Sequence, residues 1–406
     1  MKLPPAKQAE LQRALDDALA DHALLSAPPG VEPLIGTPPL PLAHIADEEL
    51  HVVRHKDSGC VQFVFPPPGQ PLLKEGWDWI VQATLRAGEH MTQAMVEKIE
   101  AHHKPERLLA LSRGFQQSAR PADLAAARGK RVLLLVHGLF SSTEGGFGAL
   151  DLQPLIERYE GRVFGWDHWT IAKTPQQNAL DLLQHMPPAA DWALDVVCHS
   201  RGGLVLRSLL ADGADGDAVL AQIGRERAGR IARVGKVTFV AAANQGSKLA
   251  SPDDILEFLN VAAMLASFSA GMGLDVVIGL ARMVVSLGYD RPAVQALTDD
   301  SALIATLNRA GGLIAPERSW YARANFDYGS SALERTGALL SRALIEADND
   351  LVVPYAGVLL PGAAPAADHI LNFGTAEHKQ NQVWHTEFFR QAATRDFLLQ
   401  ILTNRD

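Results

Sequence analysis

The sequence predicts an α/β domain with a mostly parallel central sheet. Residues 132–136, VLLLV, form a continuous apolar run of the kind found in a parallel strand buried on both faces. Similar runs alternate with helical patterns further along the chain, and this alternation is typical of βαβ units. The predicted strands are residues 162–166, 194–198, 237–243 and 320–326, and the predicted helices between them are residues 176–186, 202–212 and 217–227.

Composition places the chain among ordinary globular proteins. Of its 406 residues, 47% are hydrophobic and 20% are charged, which excludes disorder as the dominant state. The net charge is −9, so the whole molecule has no electrostatic reason to bind nucleic acid. Composition does not indicate an oligomeric state.

The number of cysteines and the first residues of the sequence indicate the cellular compartment in which we expect the protein. Two cysteines, Cys60 and Cys198, are too few for a disulfide framework. The N-terminus lacks the apolar segment of a secretory signal, so we expect a cytoplasmic protein.

The pattern of hydrophobic and proline residues divides the chain into two parts. Residues 1–125 form an N-terminal extension whose role the sequence does not reveal, and residues 126–406 form the α/β domain. Within the extension the patterns predict a helix over 6–25, a proline-rich connector, a short strand at 60–65 and a second helix over 77–101.

The strand predicted at 194–198 leads directly into His199, Ser200 and Arg201, and a helix follows at once. A serine on such a sharp turn needs small residues two positions away on each side, which is the G-x-S-x-G pattern. Gly202 fits the second position, whereas Cys198 replaces the first glycine. The pattern predicts a nucleophilic serine; the alternative is a serine that caps an ordinary helix. Cys198 itself would be buried, which disfavours a thiolate nucleophile.

A second strand-to-turn junction is the expected source of backbone N–H donors for the same site. The strand at 132–136 ends in His137, Gly138, Leu139 and Phe140. An oxyanion intermediate needs two backbone N–H donors aimed at it, and we expect these from Leu139 and from Arg201. We expect the His137 imidazole to brace the loop by hydrogen bonds.

The motifs HGLF at 137–140 and CHSRGG at 198–203 resemble those of the α/β-hydrolase superfamily, in its bacterial serine esterase and lipase branch. Further similar stretches are AANQGSKLA at 242–250, SALIATLN at 301–308 and NDLVVP at 349–354. The resemblance covers about residues 130–395. It implies an α/β-hydrolase fold, a triad in the order serine, acid, histidine, and no cofactor. The sequence also lacks a clustered Cys/His or H-E-x-x-H metal motif.

The family order directs the search for the other two triad members. Asp350 precedes a short hydrophobic run that ends in proline, as in the family's acid loop, and Asp348 is the alternative. His385 follows the strand predicted at 370–373 and precedes the last helix, whereas His369 lies at the wrong end of that strand. His378 is the alternative to His385.

Residues 251–300 are an apolar insertion longer than the family connection requires. One interpretation is a helical lid that binds an acyl chain through Phe140, Met264 and Phe268. A second is a pair of core helices packed on the sheet. A third is a peripheral membrane contact through residues 255–288. Asp275 and Arg282 interrupt the apolar run, so we predict no spanning helix.

Taken with the resemblance, these motifs predict a carboxylic ester hydrolase that acts on a small-molecule or lipid-like ester through Ser200, Asp350 and His385. The same triad also suits a thioesterase, an amidase or an acyltransferase, since a fold does not determine the substrate. The replacement of glycine by Cys198 motivates a further alternative, a non-catalytic binding or scaffold protein on a degenerate hydrolase fold.

Overall fold

A computed structural model describes the backbone of residues 48–55, 61–64 and 77–85, and the backbone and side chains of 97, 100–101, 105–139, 141–212, 217–246, 295–298, 301–326, 348–350, 352–374, 383 and 385–404. The predicted helix at 6–25 and the proline-rich connector lie outside these residues. So does the insertion at 251–300, apart from 295–298.

The first strands form a small antiparallel sheet. They are β1 (Glu48–His55), β2 (Val61–Val64) and β3 (Trp77–Leu85), in the order β2-β1-β3. β2 agrees with the predicted strand at 60–65. The predicted helix over 77–101 is wrong for β3, where Trp77, Trp79, Val81, Ala83 and Leu85 alternate with the other side chains in the period of two that a strand requires. Residues 97, 100 and 101 have helical backbone.

A seven-stranded sheet occupies the centre of the described chain. Its strands, in chain order, are β4 (Arg107–Ala110), β5 (Arg131–Val136), β6 (Val163–Asp167), β7 (Trp192–His199), β8 (Ile231–Val240), β9 (Ser319–Ala324) and β10 (Ile370–Phe373). Their spatial order is β10-β9-β8-β7-β5-β6-β4, and every neighbouring pair is parallel except β4 with β6. The edge strand β4 precedes residue 126, where we expected the α/β domain to begin.

Helices connect these strands and cover both faces of the sheet. They are α1 (Pro121–Ala126), α2 (Thr143–Phe147), α3 (Gln153–Arg158), α4 (Pro175–His185), α5 (Gly202–Leu210), α6 (Ala218–Arg227), α7 (Ala302–Arg309) and α8 (Ala392–Thr403). Helix α4 begins at a capping box in which Thr174 and Gln177 bond each other's backbone N–H groups. Helix α6 begins where Asp217 caps Val219 and Leu220. Both starts lie within one residue of those predicted.

The hydrophobic core lies on both sides of the sheet, and this explains why strand β5 is apolar at nearly every position. Val132, Leu134 and Val136 face a layer formed with α4, α5 and α6. Leu133 and Leu135 face the opposite layer, formed with α2, α3 and α8. Successive strand residues point to opposite faces, so a strand covered on both sides must be apolar at every position.

The parallel sheet, the helices on its two faces and the direct passage from β7 through Ser200 into α5 are the features of the α/β-hydrolase fold. The fold that the sequence predicts is therefore confirmed. Within the residues that the structure describes, no helix has both the length and the apolar character required to cross a membrane.

Candidate active site

Ser200 lies in a strained turn at the end of β7. Its φ is 55°, in the left-handed region that non-glycine residues adopt at a cost of about 1–3 kcal/mol. Backbone hydrogen bonds hold this conformation. Ser200 N–H donates to Val240 O at 3.1 Å, and Ser200 O accepts from Gly203 N at 3.0 Å and Ala243 N at 3.2 Å. The ends of β7 and β8 thus hold Ser200 in this conformation, and Ala241, directly after β8, also has a positive φ of 47°.

The residues two positions from Ser200 meet different constraints. A Cβ on Gly202 would lie 2.4 Å from Val136 O and 2.8 Å from His137 O, so no larger residue fits there. Cys198 instead points into the core, where its thiol donates to Thr238 O at 3.6 Å. Burial raises the pKa of the Cys198 thiol well above its usual range. Cys198 is therefore a small neutral core residue at the position that glycine occupies in the usual pattern.

The turn after β5 lies directly against Ser200. A Cβ on Gly138 would approach Ser200 Cβ to 2.6 Å and Ser200 Oγ to 3.1 Å. The backbone of Gly138 therefore passes beside the serine side chain. Neither Leu139 N–H nor Arg201 N–H has an acceptor among the described residues. Two backbone donors thus remain available, one in the residue after Gly138 and one in the residue after Ser200.

His137 braces this turn, as we expected from the sequence. Its Nδ1–H donates to Gly138 O at 2.9 Å, and its Nε2 accepts from His168 N–H at 3.3 Å. The two imidazole rings stack, with centroids 4.0 Å apart. The His137 side chain is fully buried and fixes the loop whose backbone adjoins Ser200.

Asp350 and His385 contact each other through both side chain and backbone. His385 Nδ1–H donates to Asp350 Oδ2 at 2.9 Å, and His385 N–H donates to Asp350 O at 3.0 Å. The other carboxylate oxygen, Oδ1, accepts from the N–H groups of Val352 at 3.0 Å and Val353 at 2.8 Å. Asp350 is buried, whereas the alternative Asp348 is exposed. The other alternative, His378, lies outside the described residues.

The residue before the serine connects the two halves of the site. His199 Nε2–H donates to His385 O at 2.8 Å, and the two rings lie 4.8 Å apart. Burial and the neighbouring His385 lower the pKa of His199 to about 3, so its imidazole is neutral at ordinary pH. Sequence reasoning missed this contact, because nothing local relates His199 to a residue 186 positions away.

The side chain after the serine is also buried. Arg201 donates from Nη1 to Asn178 Oδ1 at 2.8 Å and from Nη2 to Lys173 O. Burial lowers the pKa of its guanidinium to about 10, which leaves it charged at neutral pH. From the sequence we predicted a role only for the backbone N–H of Arg201. Its side chain anchors the turn to α4 and to the segment that precedes it.

The predicted substrate contacts Phe140, Met264 and Phe268 lie outside the described residues. Among the residues that are described, no group of three or more His, Cys, Asp and Glu side chains could hold a metal ion. The candidate catalytic groups are Ser200, the Asp350–His385 pair and the backbone N–H groups of Leu139 and Arg201.

A family profile described as "Domain of unknown function (DUF7379)" matches residues 102–403. The chain belongs to this family. The match includes Ser200, Asp350 and His385, and it begins before β4, which pairs within the central sheet. No curated protein matches the sequence.

Solved structures of bacterial enzymes are similar to this DUF7379 chain. Mature lipase BlEst2 of Bacillus licheniformis is 18% identical, with coverage of 67% of this chain and 92% of that chain and a TM-score of 0.34. Lipase 1 from Pelosinus fermentans is 14% identical, with coverage of 68% and 99% and a TM-score of 0.41. EstA from Clostridium botulinum is 11% identical, with coverage of 68% and 87% and a TM-score of 0.43.

Proposed function

We propose that this DUF7379 protein is a serine hydrolase that cleaves carboxylic esters through an acyl-enzyme. The observation that carries the proposal is the hydrogen bond of 2.9 Å between His385 Nδ1 and Asp350 Oδ2, on a loop that His199 ties to the Ser200 turn. The three residues follow β7, β9 and β10, so they share the carboxyl edge of the parallel sheet. Sites in open α/β folds form at this edge.

In the proposed reaction His385 acts as the general base. Donation from Nδ1–H to Asp350 leaves Nε2 as the basic nitrogen, which takes the Ser200 proton as Oγ attacks the ester carbonyl. Asp350 holds the tautomer and stabilises the imidazolium that forms. His385 then protonates the departing alcohol, and a water molecule cleaves the acyl-enzyme by the same route.

The reaction also requires stabilisation of the negative charge that develops on the tetrahedral intermediate. The free N–H groups of Leu139 and Arg201 would donate to this oxyanion, and both are fixed before the reaction begins. The Gly138 turn and the Arg201 side chain contacts support this role, because they hold each donor rigidly beside Ser200. Loss of one such donor lowers kcat by about 10²–10³-fold in serine hydrolases.

A series of p-nitrophenyl esters of increasing acyl length, with a fluorophosphonate probe, tests the proposal. We expect wild-type protein to hydrolyse the esters and to bind one probe per chain, and Ser200→Ala to do neither. Ser208→Ala, which changes a buried serine within α5, is the matched control and should keep both properties. Wild-type protein that reacts with the probe no faster than Ser200→Ala would refute the assignment.

The acyl side of the site is proposed from sequence alone. Phe140, Met264 and Phe268 would contact the acyl chain, and residues 251–300 would form the lid. Their apolar composition supports this role. The ester series checks it, because Met264→Asp and Phe268→Asp should reduce turnover of long-chain esters more than of acetate esters. An equal effect on both would contradict the assignment.

A further inference from the structure

Glu100 is a buried carboxylate that accepts hydrogen bonds from three consecutive backbone N–H groups. Its Oε1 accepts from Thr170 N at 2.6 Å and Ile171 N at 3.1 Å, and its Oε2 accepts from Ala172 N at 2.7 Å. The Thr170 hydroxyl lies 3.3 Å from Oε1. The residue is only 5% exposed. Glu100 therefore determines the conformation of the segment that follows β6.

That same segment, together with helix α4, binds the side chain of Arg201. Lys173 O accepts from the guanidinium, and Asn178 Oδ1 accepts from it at 2.8 Å. Asn178 is in turn held by its own donation to Trp169 O at 2.8 Å. A continuous set of contacts thus leads from Glu100 through residues 169–173 to the residue beside Ser200.

Charge reinforces this arrangement. The two acceptors of the Arg201 guanidinium are neutral, and the acidic group whose charge stabilises this buried cation is Glu100. A buried cation without a compensating charge is strongly destabilising. Glu100 therefore both shapes the segment that holds Arg201 and balances its charge.

We propose that Glu100 is a positioning residue for the reaction, acting through Arg201 on the N–H donor beside Ser200. The inference rests on the proposed ester hydrolysis. Glu100 lies just before the DUF7379 match at 102–403, in the part of the chain to which the sequence assigned no role. The N-terminal segment thus contributes to the catalytic turn without touching the substrate.

Glu100→Gln tests the proposal, because it keeps the size of the side chain but removes its charge and places an amide NH₂ against backbone donors. The matched control is Glu106→Gln, which changes a carboxylate six positions further along the chain. Among the described residues it pairs with the Lys173 ammonium, which is itself also paired with Asp181. Rates are normalised to the concentration of titratable serine, so that unfolded protein does not contribute.

We expect Glu100→Gln to lower kcat on the order of 10–100-fold with little change in KM, because an oxyanion donor acts in the transition state. Binding of an alkyl boronic acid should weaken by a similar factor. Glu106→Gln should match the wild type, and Glu100→Asp, which keeps the charge, should restore part of the loss. Equal kcat in wild type and Glu100→Gln would overturn the proposal.

Two further measurements keep the test decisive. If Glu100→Gln does not fold, Asn178→Ala removes the next contact in the set and should give the same selective loss of kcat. An unchanged kcat in Asn178→Ala would overturn the proposal.

Amide hydrogen exchange can be measured whether or not the protein is active. Glu100→Gln should accelerate exchange in residues 169–173 and 200–204, and unchanged exchange in 200–204 overturns the inference. An inactive wild type refutes the proposed function instead, and the exchange result is then read on its own.

Discussion

His199 Nε2–H donates to the backbone carbonyl of His385 at 2.8 Å, and this bond joins the serine turn to the loop that carries the second imidazole. The donor is a neutral ring, because burial prevents His199 from taking up a proton at ordinary pH. The side chain next to Ser200 therefore sets the position of His385 through its backbone, while Asp350 sets the orientation of its ring.

Replacement of His199 should reduce turnover without unfolding the protein. His199→Phe keeps an aromatic ring beside Phe389 but loses the donor to His385 O. We expect kcat to fall about tenfold, since a base displaced by a fraction of an ångström loses efficiency steeply. His199→Gln, which keeps an N–H donor, should be less impaired. Equal kcat values for His199→Phe and wild type would show that the bond does not position His385.

The carboxylate that serves His385 can be identified by a matched pair of variants. Asp350→Asn should lower kcat by about 10⁴-fold, because the amide no longer stabilises the required tautomer and imidazolium. Asp348→Asn changes an exposed side chain two positions away and should retain wild-type kcat. The reverse result would transfer the role to Asp348. Ester hydrolysis at saturating substrate is the measurement.

The Gly138 turn should tolerate no side chain. A methyl group in Gly138→Ala would meet Ser200 Cβ at 2.6 Å, so either the serine or the Leu139 donor must move. We expect kcat to fall at least about 100-fold, as for loss of an oxyanion donor. Gly224→Ala is the control, because a methyl group there, within α6, meets nothing within 4 Å.

The control should raise the free energy of unfolding by up to about 1 kcal/mol, through the higher helix propensity of alanine, with unchanged kcat. Chemical denaturation and the ester assay report the two quantities. A Gly138→Ala protein with wild-type kcat would show that the turn does not constrain Ser200.

His199 should also make folding stability depend on pH. Its pKa is about 3 in the folded protein and near 6.5 when unfolded, so between these values the unfolded chain binds the extra proton. Stability from this group is fully present above about pH 6.5 and is lost as the pH falls towards 3, by about 1.4 kcal/mol per pH unit.

Denaturant titrations between pH 7 and pH 4 measure this slope. The slope should be shallower in His199→Phe, whereas His185→Gln, a change on the exposed side of α4, should retain it. A wild-type slope in His199→Phe would mean that other groups cause the acid sensitivity.

The sheet could largely be predicted from local pattern, and its exceptions have physical causes. β5 is apolar at every position because helices cover both faces, and this leaves an unambiguous run in the sequence. β3 was mistaken for a helix although its residues alternate with a period of two. β4 escaped notice because four residues are too few to show a period, and only its pairing with β6 places it in the sheet.

By itself the sequence determined the fold class and the serine turn, because a strand, a small-residue turn and a helix are adjacent in the chain. Tertiary structure alone brought Asp350 rather than exposed Asp348 to His385, since that pairing depends on how two loops close over one sheet edge. The contacts of His199 and Glu100 span 186 and about 70 residues. They leave no periodic signal, because only the folded chain makes such distant groups neighbours.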